Sequence, residues 1–348
     1  MAKDSRVDPG GKIRELLEAR ELGAFDVRMY ELNDIVAIGK ERFERELEYL
    51  RRPIREPNDI LVKTAIGKKW AQREWFDFDY DASKFTNTIF QKTMVPDGEI
   101  KWNHGYEFVI EIEKNGIRSR FRGDTMNSWQ TTLNEFVRRY ADTYLKESVL
   151  CGKAKNGKWQ RPEDSPWYIV LSDPDNYTGV QFPSYITDFM EVVYTIGNFI
   201  PAPSAFQSRG SGPSKDYWDL ALMCIYNYYQ RKSGDDRKNE ASTQTYSLEW
   251  LLVHGEKTSN NAEECKSWLE RFKTWEGFVE QYFMQPFLEN DKKPGSPPKE
   301  LWEGHFTGVA EPKEDKHFKQ FFENAAKGIQ KRGALIAKEY EKRSKEVP

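Results

Sequence analysis

The amino-acid sequence predicts an α+β fold, predominantly helical, with a small antiparallel sheet around residues 75–122. Long segments on both sides of that region repeat apolar residues every three or four positions, which is typical of amphipathic helices. Within the region the period shortens to two, as in strands with one buried face. Aromatic residues make up 14% of the 348 residues, and rings of this size bury enough apolar surface to exclude a wholly disordered chain.

Three segments carry the strand pattern. Trp75–Asp81 alternates aromatic rings with carboxylates, and Tyr106–Glu113 and Ile117–Arg122 are two further β-like runs. The pair Asn115-Gly116 separates the last two, and Asn-Gly strongly favours a tight hairpin turn. We therefore predict a hairpin over residues 106–122 within the sheet.

Helical periodicity and loop-forming residues organise the rest of the chain. We predict an N-terminal helical arm or cap (1–70), a main α+β domain (71–290) and a C-terminal helical extension (299–348), with Pro294–Pro298 as a linker. Ser128–Ser148 should form one continuous helix, whereas Pro201–Pro213, rich in Pro, Gly and Ser, should be an irregular loop. The other predicted helices are Lys12–Gly23, Glu41–Arg52, Pro183–Ile196, Lys215–Arg231, Tyr246–His254, Ala262–Phe272, Trp275–Leu288 and Glu314–Lys345.

The last of these helices carries an aromatic stripe. Phe318, Phe321 and Phe322 recur at helical spacing. The stripe should pack either on the body of the protein or against a protein partner, self-association included, because exposed rings promote association. The stripe ends before Lys338–Pro348, so we expect that final segment to fray or project.

Composition limits the partners and the compartment. The chain has 53 Lys and Arg residues against 56 Asp and Glu, a net charge of −3, which argues against nucleic-acid binding over the whole surface. No apolar run approaches the ~18 residues of a membrane span, and Met1–Arg14 lacks the apolar core of a signal peptide. The three cysteines have no paired spacing and predict neither disulfides nor a zinc site. We expect a cytoplasmic protein without membrane association.

A short motif, Thr195-Ile-Gly-Asn-Phe199, stands out at the end of a predicted helix. Together with other segments it resembles a family of uncharacterised bacterial proteins that share a domain of unknown function. The resemblance covers about Trp75–Arg231 and implies no particular chemistry. The other segments that carry it are Phe76-Asp77, Pro96-Asp97-Gly98, Arg122-Gly-Asp-Thr-Met126, Arg209-Gly210 and Asp216-Tyr-Trp-Asp-Leu220.

The same motif is distantly similar to a segment of the C-terminal nuclease domain of GmrSD-type modification-dependent restriction proteins. This likeness implies a His-Me-finger-like nuclease and a role in prokaryotic antiviral defence. Such a nuclease needs an upstream histidine to activate water, but no histidine lies between His104 and His254. Tyr194 precedes the motif, and a phenol with an ordinary pKa of about 10 is a poor general base at neutral pH. The residues therefore argue against an active nuclease of this type.

Two polar segments are the candidate walls of a ligand pocket. The Arg122–Asn127 turn precedes a helix whose free N–H groups favour anions, and the Asn198–Asp216 loop offers an arginine fork suited to carboxylate or phosphate. The alternatives are ordinary helix capping for the turn and attachment of the loop to the core. The leading hypothesis is a pocket for an anionic ligand, either phosphate-bearing or nucleic acid, formed by Arg122, Asp124, Asn127, Asn198, Arg209 and Asp216.

Three carboxylates, Asp77, Asp79 and Asp81, support a second hypothesis. On a strand they would share one face at intervals of about 7 Å and could hold a divalent metal; the alternative is a solvated acidic face. Their spacing begins like an EF-hand loop, but the glycine and the closing glutamate which that loop requires are missing. A metal-dependent hydrolase or nuclease using Asp77, Asp79 or Asp124 is thus one alternative function, and a protein–protein interaction module is another.

Overall fold

The computed structural model has an α+β architecture in which helices predominate around a four-stranded antiparallel sheet, as predicted. It describes residues 22–24, 26–27, 45, 48–54, 59, 63, 84–103, 107–114, 117–128, 130–150, 174–203, 206, 217–232, 246–252, 258–308 and 311–346. The sheet has the strand order β1-β2-β3-β4. Its strands are β1 (Glu99–Asn103), β2 (Glu107–Lys114), β3 (Ile117–Thr125) and β4 (Phe199–Pro203).

Helices account for most of the other described residues. Short 3₁₀ turns occur at Leu22–Ala24, Glu147–Leu150, Pro174–Asn176, Ile196–Asn198, Gln285–Phe287 and His305–Thr307. The α-helices are α1 (Lys84–Thr93), α2 (Gln130–Arg139), α3 (Ala141–Tyr144), α4 (Ser184–Val192), α5 (Trp218–Lys232), α6 (Leu248–Leu252), α7 (Thr258–Glu270), α8 (Trp275–Gln281) and α9 (Asp315–Glu346).

The sheet places apolar and charged residues in alternating rows. Glu111 is adjacent in β2 to Ile110, a residue of the apolar row. It pairs across the strands with Arg120 and accepts a hydrogen bond from the Arg120 side chain at 2.7 Å. This alternation is the period of two predicted for strands, and the pairing of β2 with β3 confirms the strands of the hairpin. The apolar row crosses all four strands through Ile100, Ile110, Phe121 and Pro203.

Helix α1 occupies part of the region in which the sheet was predicted. Phe85, Ile89 and Phe90 are fully buried, and the helix contacts all four strands. The spacing of four between Phe85 and Ile89 sets them on one helical face. The sheet therefore covers less of residues 75–122 than predicted, and the predicted strand Trp75–Asp81 lies outside the described residues.

Two further segments differ from prediction. The continuous helix predicted for Ser128–Ser148 is divided at Tyr140, whose backbone angles (φ −109°, ψ 31°) leave the helical region; its hydroxyl group donates to Asp315. The loop predicted from Pro201 begins instead as β4. Because β4 lies at the edge of the sheet, its prolines interrupt no second ladder of hydrogen bonds.

The C-terminal helix α9 packs along the body of the protein. It contacts α1, α4 and the 3₁₀ turns Leu22–Ala24 and Ile196–Asn198. The aromatic stripe is therefore part of the core, which confirms the first of the two predicted alternatives. Its three phenylalanine rings are buried and form no surface for self-association or a protein partner. The residues of the buried face are Phe318, Phe321, Phe322, Ala325, Ile329, Arg332, Ile336 and Tyr340.

Helix α9 continues without a break to Glu346. Tyr340 is buried, and Arg343 donates a hydrogen bond to Lys92 O at 3.0 Å. The expectation that the chain projects from Lys338 onwards was wrong, because the buried face continues for another turn through Tyr340.

Side chains from all three predicted segments of the chain lie in one hydrophobic cluster. Val27, Ile110 and Phe321 are fully buried members of it. The predicted boundaries near residues 70 and 299 stay predictions. Among the described helices, none has both the length and the apolar character needed to cross a membrane.

Candidate functional site

Asn127 and Asn198 form an interlocked, fully buried pair. The Asn198 side-chain oxygen accepts from the N–H of Asn127 at 3.0 Å, and its amide group donates to Asn127 O at 2.9 Å and to Val193 O at 2.8 Å. Asn127 Oδ1 accepts from the N–H of Trp218 at 3.2 Å, and Asn127 Nδ2 approaches Asn198 Oδ1 at 3.5 Å. The pair joins the ends of β3, β4 and α5, and each of its side-chain polar atoms has a partner within the protein.

The rest of the Thr195–Phe199 motif is also held by the core. Arg332, on α9, is fully buried. Its guanidinium group donates to the carbonyl oxygens of Gly197 at 2.9 Å, Phe199 at 2.7 Å and Tyr282 at 2.9 Å. Burial lowers the pKa of this guanidinium group, and the carbonyl dipoles stabilise its charge. The motif is thus a junction between the sheet and the C-terminal helix.

The structure brings together only part of the predicted ligand pocket. Arg122 and Asp124 lie within β3, opposite Ala202 and Ile200, and not in a turn before a helix. The hydrogen bonds of Asn198 favour the alternative in which the segment is attached to the core. Ligand binding by these residues stays a prediction. Arg209 and Asp216 of the proposed pocket and Asp77, Asp79 and Asp81 of the proposed metal site lie outside the described residues.

Sequence reasoning missed a buried carboxylate–imidazole pair. Asp219 Oδ2 lies 2.6 Å from His305 Nδ1, although the two residues are 86 positions apart in the chain. Asp219 also accepts from the N–H groups of Leu301 at 2.8 Å and Leu220 at 3.0 Å, and the His305 ring stacks on Trp302. The pair fixes the segment 301–305 on α5. The distance in sequence hid it: Asp219 belongs to the segment Asp216-Tyr-Trp-Asp-Leu220, but nothing local connects that segment with His305.

A cleft of about 500 Å³ opens between α9 and the segment 286–301. That segment is fixed, because Leu288 forms a bridge with Pro298 and the N–H of Lys299 donates to Phe287 O at 2.9 Å. Phe287 packs on α9 at Gly328, where an added Cβ would lie 2.4 Å from the ring. We call this site the lysine cleft, because its lining includes Lys292, Lys299, Lys327 and Lys331.

The lysines of the cleft differ in their partners. Lys331 pairs with Asp291 at 2.8 Å, whereas Lys299 donates to the neutral Asn324 Oδ1 at 3.0 Å. In the described part of the chain, no carboxylate lies within ion-pair distance of Lys299 or Lys327. Burial, followed by the charges of Lys327 and Lys331, lowers the pKa of Lys299. The three ammonium groups are therefore close enough to repel one another.

Three acidic side chains, those of Glu289, Asp291 and Glu300, line the lysine cleft with its four lysines, which leaves one positive charge in excess. Glu300 accepts hydrogen bonds from the N–H groups of Gly304 at 3.1 Å and Phe306 at 2.7 Å. The hydrogen bond and charge of Lys331 lower the pKa of Asp291, with smaller contributions from other lysines. Asp291 thus acts as an internal anion for one lysine, and the cleft can attract an external anion with the others.

A second cavity, of about 370 Å³, lies between α4 and α9. Lys327 lines it too, but its other charged residues are acidic: Asp188, Glu191 and Glu323. Glu191 accepts from the buried Lys63 at 2.8 Å, which ties the N-terminal part of the chain to this wall. This cavity has one lysine against three carboxylates, whereas the lysine cleft has four lysines against three, so the lysine cleft is the stronger candidate for an anion site.

Neither the described side chains nor comparisons with known proteins assign a chemistry. Within the described residues, no group of three or more His, Cys, Asp or Glu side chains is placed to hold a metal ion. No protein-family model matches the chain, and no curated protein or solved structure matches it. The resemblances based on Thr195–Phe199 therefore stay predictions, and the proposal below depends on the geometry of the lysine cleft.

Proposed function

We propose that the protein binds a phosphate-bearing ligand in the lysine cleft. The observation that supports this most directly is that Lys299, Lys327 and Lys331 line one cavity, while one of them alone has a carboxylate partner in the described part of the chain. Grouping ammonium ions in this way is unfavourable unless an anion offsets their repulsion. A phosphate group can accept charge-assisted hydrogen bonds from several lysines at once.

The size and lining of the cleft favour a small molecule over nucleic acid. Its volume of about 500 Å³ lies in the usual range for small-ligand pockets. Phe287, the aromatic residue of the described lining, is buried and offers no exposed face on which a base could stack. The ligand is therefore expected to be held through its phosphate and its polar groups.

Charge-changing variants test this proposal by isothermal titration with pyrophosphate. Lys327→Gln should weaken binding about tenfold, because one charge-assisted hydrogen bond contributes roughly 1.5 kcal/mol. Asp291→Asn should strengthen binding, because it frees Lys331 from its internal partner. Lys319→Gln, on the same helix but outside the cleft lining, is the matched control and should leave affinity unchanged. Equal effects of all three variants, or no saturable binding by the unchanged protein, would reject the site.

As the pH rises, anion affinity should begin to fall at a lower pH than it would at a site built from ordinary lysines. The pKa of Lys299 is lowered by burial and by its two lysine neighbours, so Lys299 loses its charge below the pH at which a free lysine does. Sulfate is a suitable probe since it stays dianionic throughout this range. Lys327→Gln removes one repulsive neighbour and should move the loss of affinity to higher pH. A titration curve with the same midpoint in both proteins would contradict this explanation.

A further inference from the structure

Lys299 is held in the lysine cleft by a neutral group. Its Nζ donates to Asn324 Oδ1 at 3.0 Å, and Asn324 Nδ2 donates to Leu301 O at 2.8 Å. The second hydrogen bond sets the orientation of the amide, so that its oxygen faces the lysine. Unlike a carboxylate, this acceptor adds no negative charge that would strongly favour the ammonium form.

The backbone of Lys299 is fixed as well. It follows Pro297 and Pro298, and its N–H donates to Phe287 O at 2.9 Å. The side chain therefore projects from a constrained stem across a cleft whose opposite wall, α9, carries Lys327 and Lys331. Nearby cations and partial burial both disfavour the charged form of an amine, as in enzymes that use lysine as a nucleophile.

We propose that Lys299 is a nucleophilic amine that forms an imine with an aldehyde or ketone ligand whose phosphate is held by Lys327 and Lys331. This inference rests on the proposed function and names the substrate class as phosphate-bearing carbonyl compounds. The free amine attacks the carbonyl carbon and forms a carbon–nitrogen bond. Both hydrogens of the amine nitrogen pass in turn, as protons, to the carbonyl oxygen, and that oxygen leaves as water while a carbon–nitrogen double bond forms. The step needs no oxidant or reductant.

The lowered pKa of Lys299 agrees with this role, since a larger fraction of the amine is unprotonated near neutral pH. Lys292 lines the same cleft, but in the described residues its ammonium group has no neutral acceptor comparable to Asn324. Lys292 is therefore a matched control for reactivity within the same site.

Pyridoxal phosphate, an aldehyde with a phosphate group, is the probe, and pyridoxal is its phosphate-free control. The full-length protein is treated briefly with each aldehyde, the imine is reduced with borohydride, and the modified lysines are located by peptide mass mapping. Relative to the other lysines of the same sample, Lys299 should be labelled at least tenfold more with pyridoxal phosphate than with pyridoxal. Lys299→Arg should abolish the main product, whereas Lys292→Arg should leave it unchanged.

The outcomes separate this inference from the proposed function. Labelling spread evenly over surface lysines, or unchanged in Lys299→Arg, would overturn the inference even where pyrophosphate still binds in the cleft. No preference for the phosphorylated aldehyde, together with no pyrophosphate binding, would overturn the proposed function itself. The unfolding transition of Lys299→Arg is measured beside that of the unchanged protein, and an unchanged midpoint shows that a loss of labelling does not come from misfolding.

Discussion

Replacing Arg332 by methionine is expected to lower the free energy of unfolding by about 3–6 kcal/mol. Methionine fills a similar space but leaves the carbonyl oxygens of Gly197, Phe199 and Tyr282 without their donor, and each unsatisfied buried acceptor costs roughly 1–3 kcal/mol. Tyr282 also precedes Phe283, whose φ of 57° is an unusual conformation for a residue with a side chain. Loss of Arg332 should therefore loosen this turn as well as the start of β4.

Urea denaturation of the purified protein measures the effect. Lys338→Met, on the same helix and exposed, makes the same change of polarity and should shift the midpoint little. If Arg332→Met and Lys338→Met gave the same midpoint, the buried guanidinium group would not connect the Thr195–Phe199 motif to α9 in the way described.

Gly197→Ala should destabilise the protein by about 3 kcal/mol, at the upper end of the usual cost of overpacking. An added Cβ would lie 2.1 Å from Ile329 O and 2.9 Å from the Gly333 nitrogen. Both are backbone atoms of α9, so the helix and the 3₁₀ turn would have to separate. Thermal unfolding followed by circular dichroism would show the loss as a lower midpoint.

The control for this change is Gly295→Ala. The nearest atom to an added Cβ there is Glu276 Oε1 at 2.6 Å, which is the end of an exposed, flexible side chain and can move away at little cost. Equal midpoints for the two alanine variants would mean that the close approach of Gly197 to α9 is not a constraint on stability.

Hydrophobic periodicity was sufficient to predict the elements that pack through one continuous face. The helix predicted at Glu314–Lys345 is α9, Asp315–Glu346, because its apolar residues recur at helical spacing from Phe318 onwards. The antiparallel pairing around Asn115-Gly116 was likewise predictable from the turn residues and the alternation on both sides of them. These patterns are local in sequence, and the corresponding helix and strand pair are present in the structure.

β4 was missed because two of its five residues are prolines, which normally argue against a strand. The edge position that makes them tolerable is a property of the whole sheet. Sequence reasoning left two alternatives for the Asn198–Asp216 loop, a wall of a ligand pocket or attachment to the core. The hydrogen bonds of Asn198 favour attachment to the core. The role of Gly197 was hidden, because it depends on the close approach of α9, which is far away in the sequence.

The lysine cleft could not be predicted for a related reason. Lys327 and Lys331 are exposed residues of an amphipathic helix, a pattern that usually indicates a solvated face. Lys299 directly follows the segment Pro294–Pro298, which was interpreted as a linker. Packing of Phe287 against Gly328 brings these residues to one cavity, and no local sequence motif predicts that contact.

The most direct test of the lysine cleft as a phosphate site is NMR observation of the lysine ammonium and amine groups during titration with pyrophosphate. The signals of Lys299, Lys327 and Lys331 should shift together and saturate at one equivalent, while those of Lys319 and other lysines outside the cleft should stay in place. Weak, unsaturated shifts spread over all surface lysines would contradict the proposed function, because they would show a general ionic effect and no site.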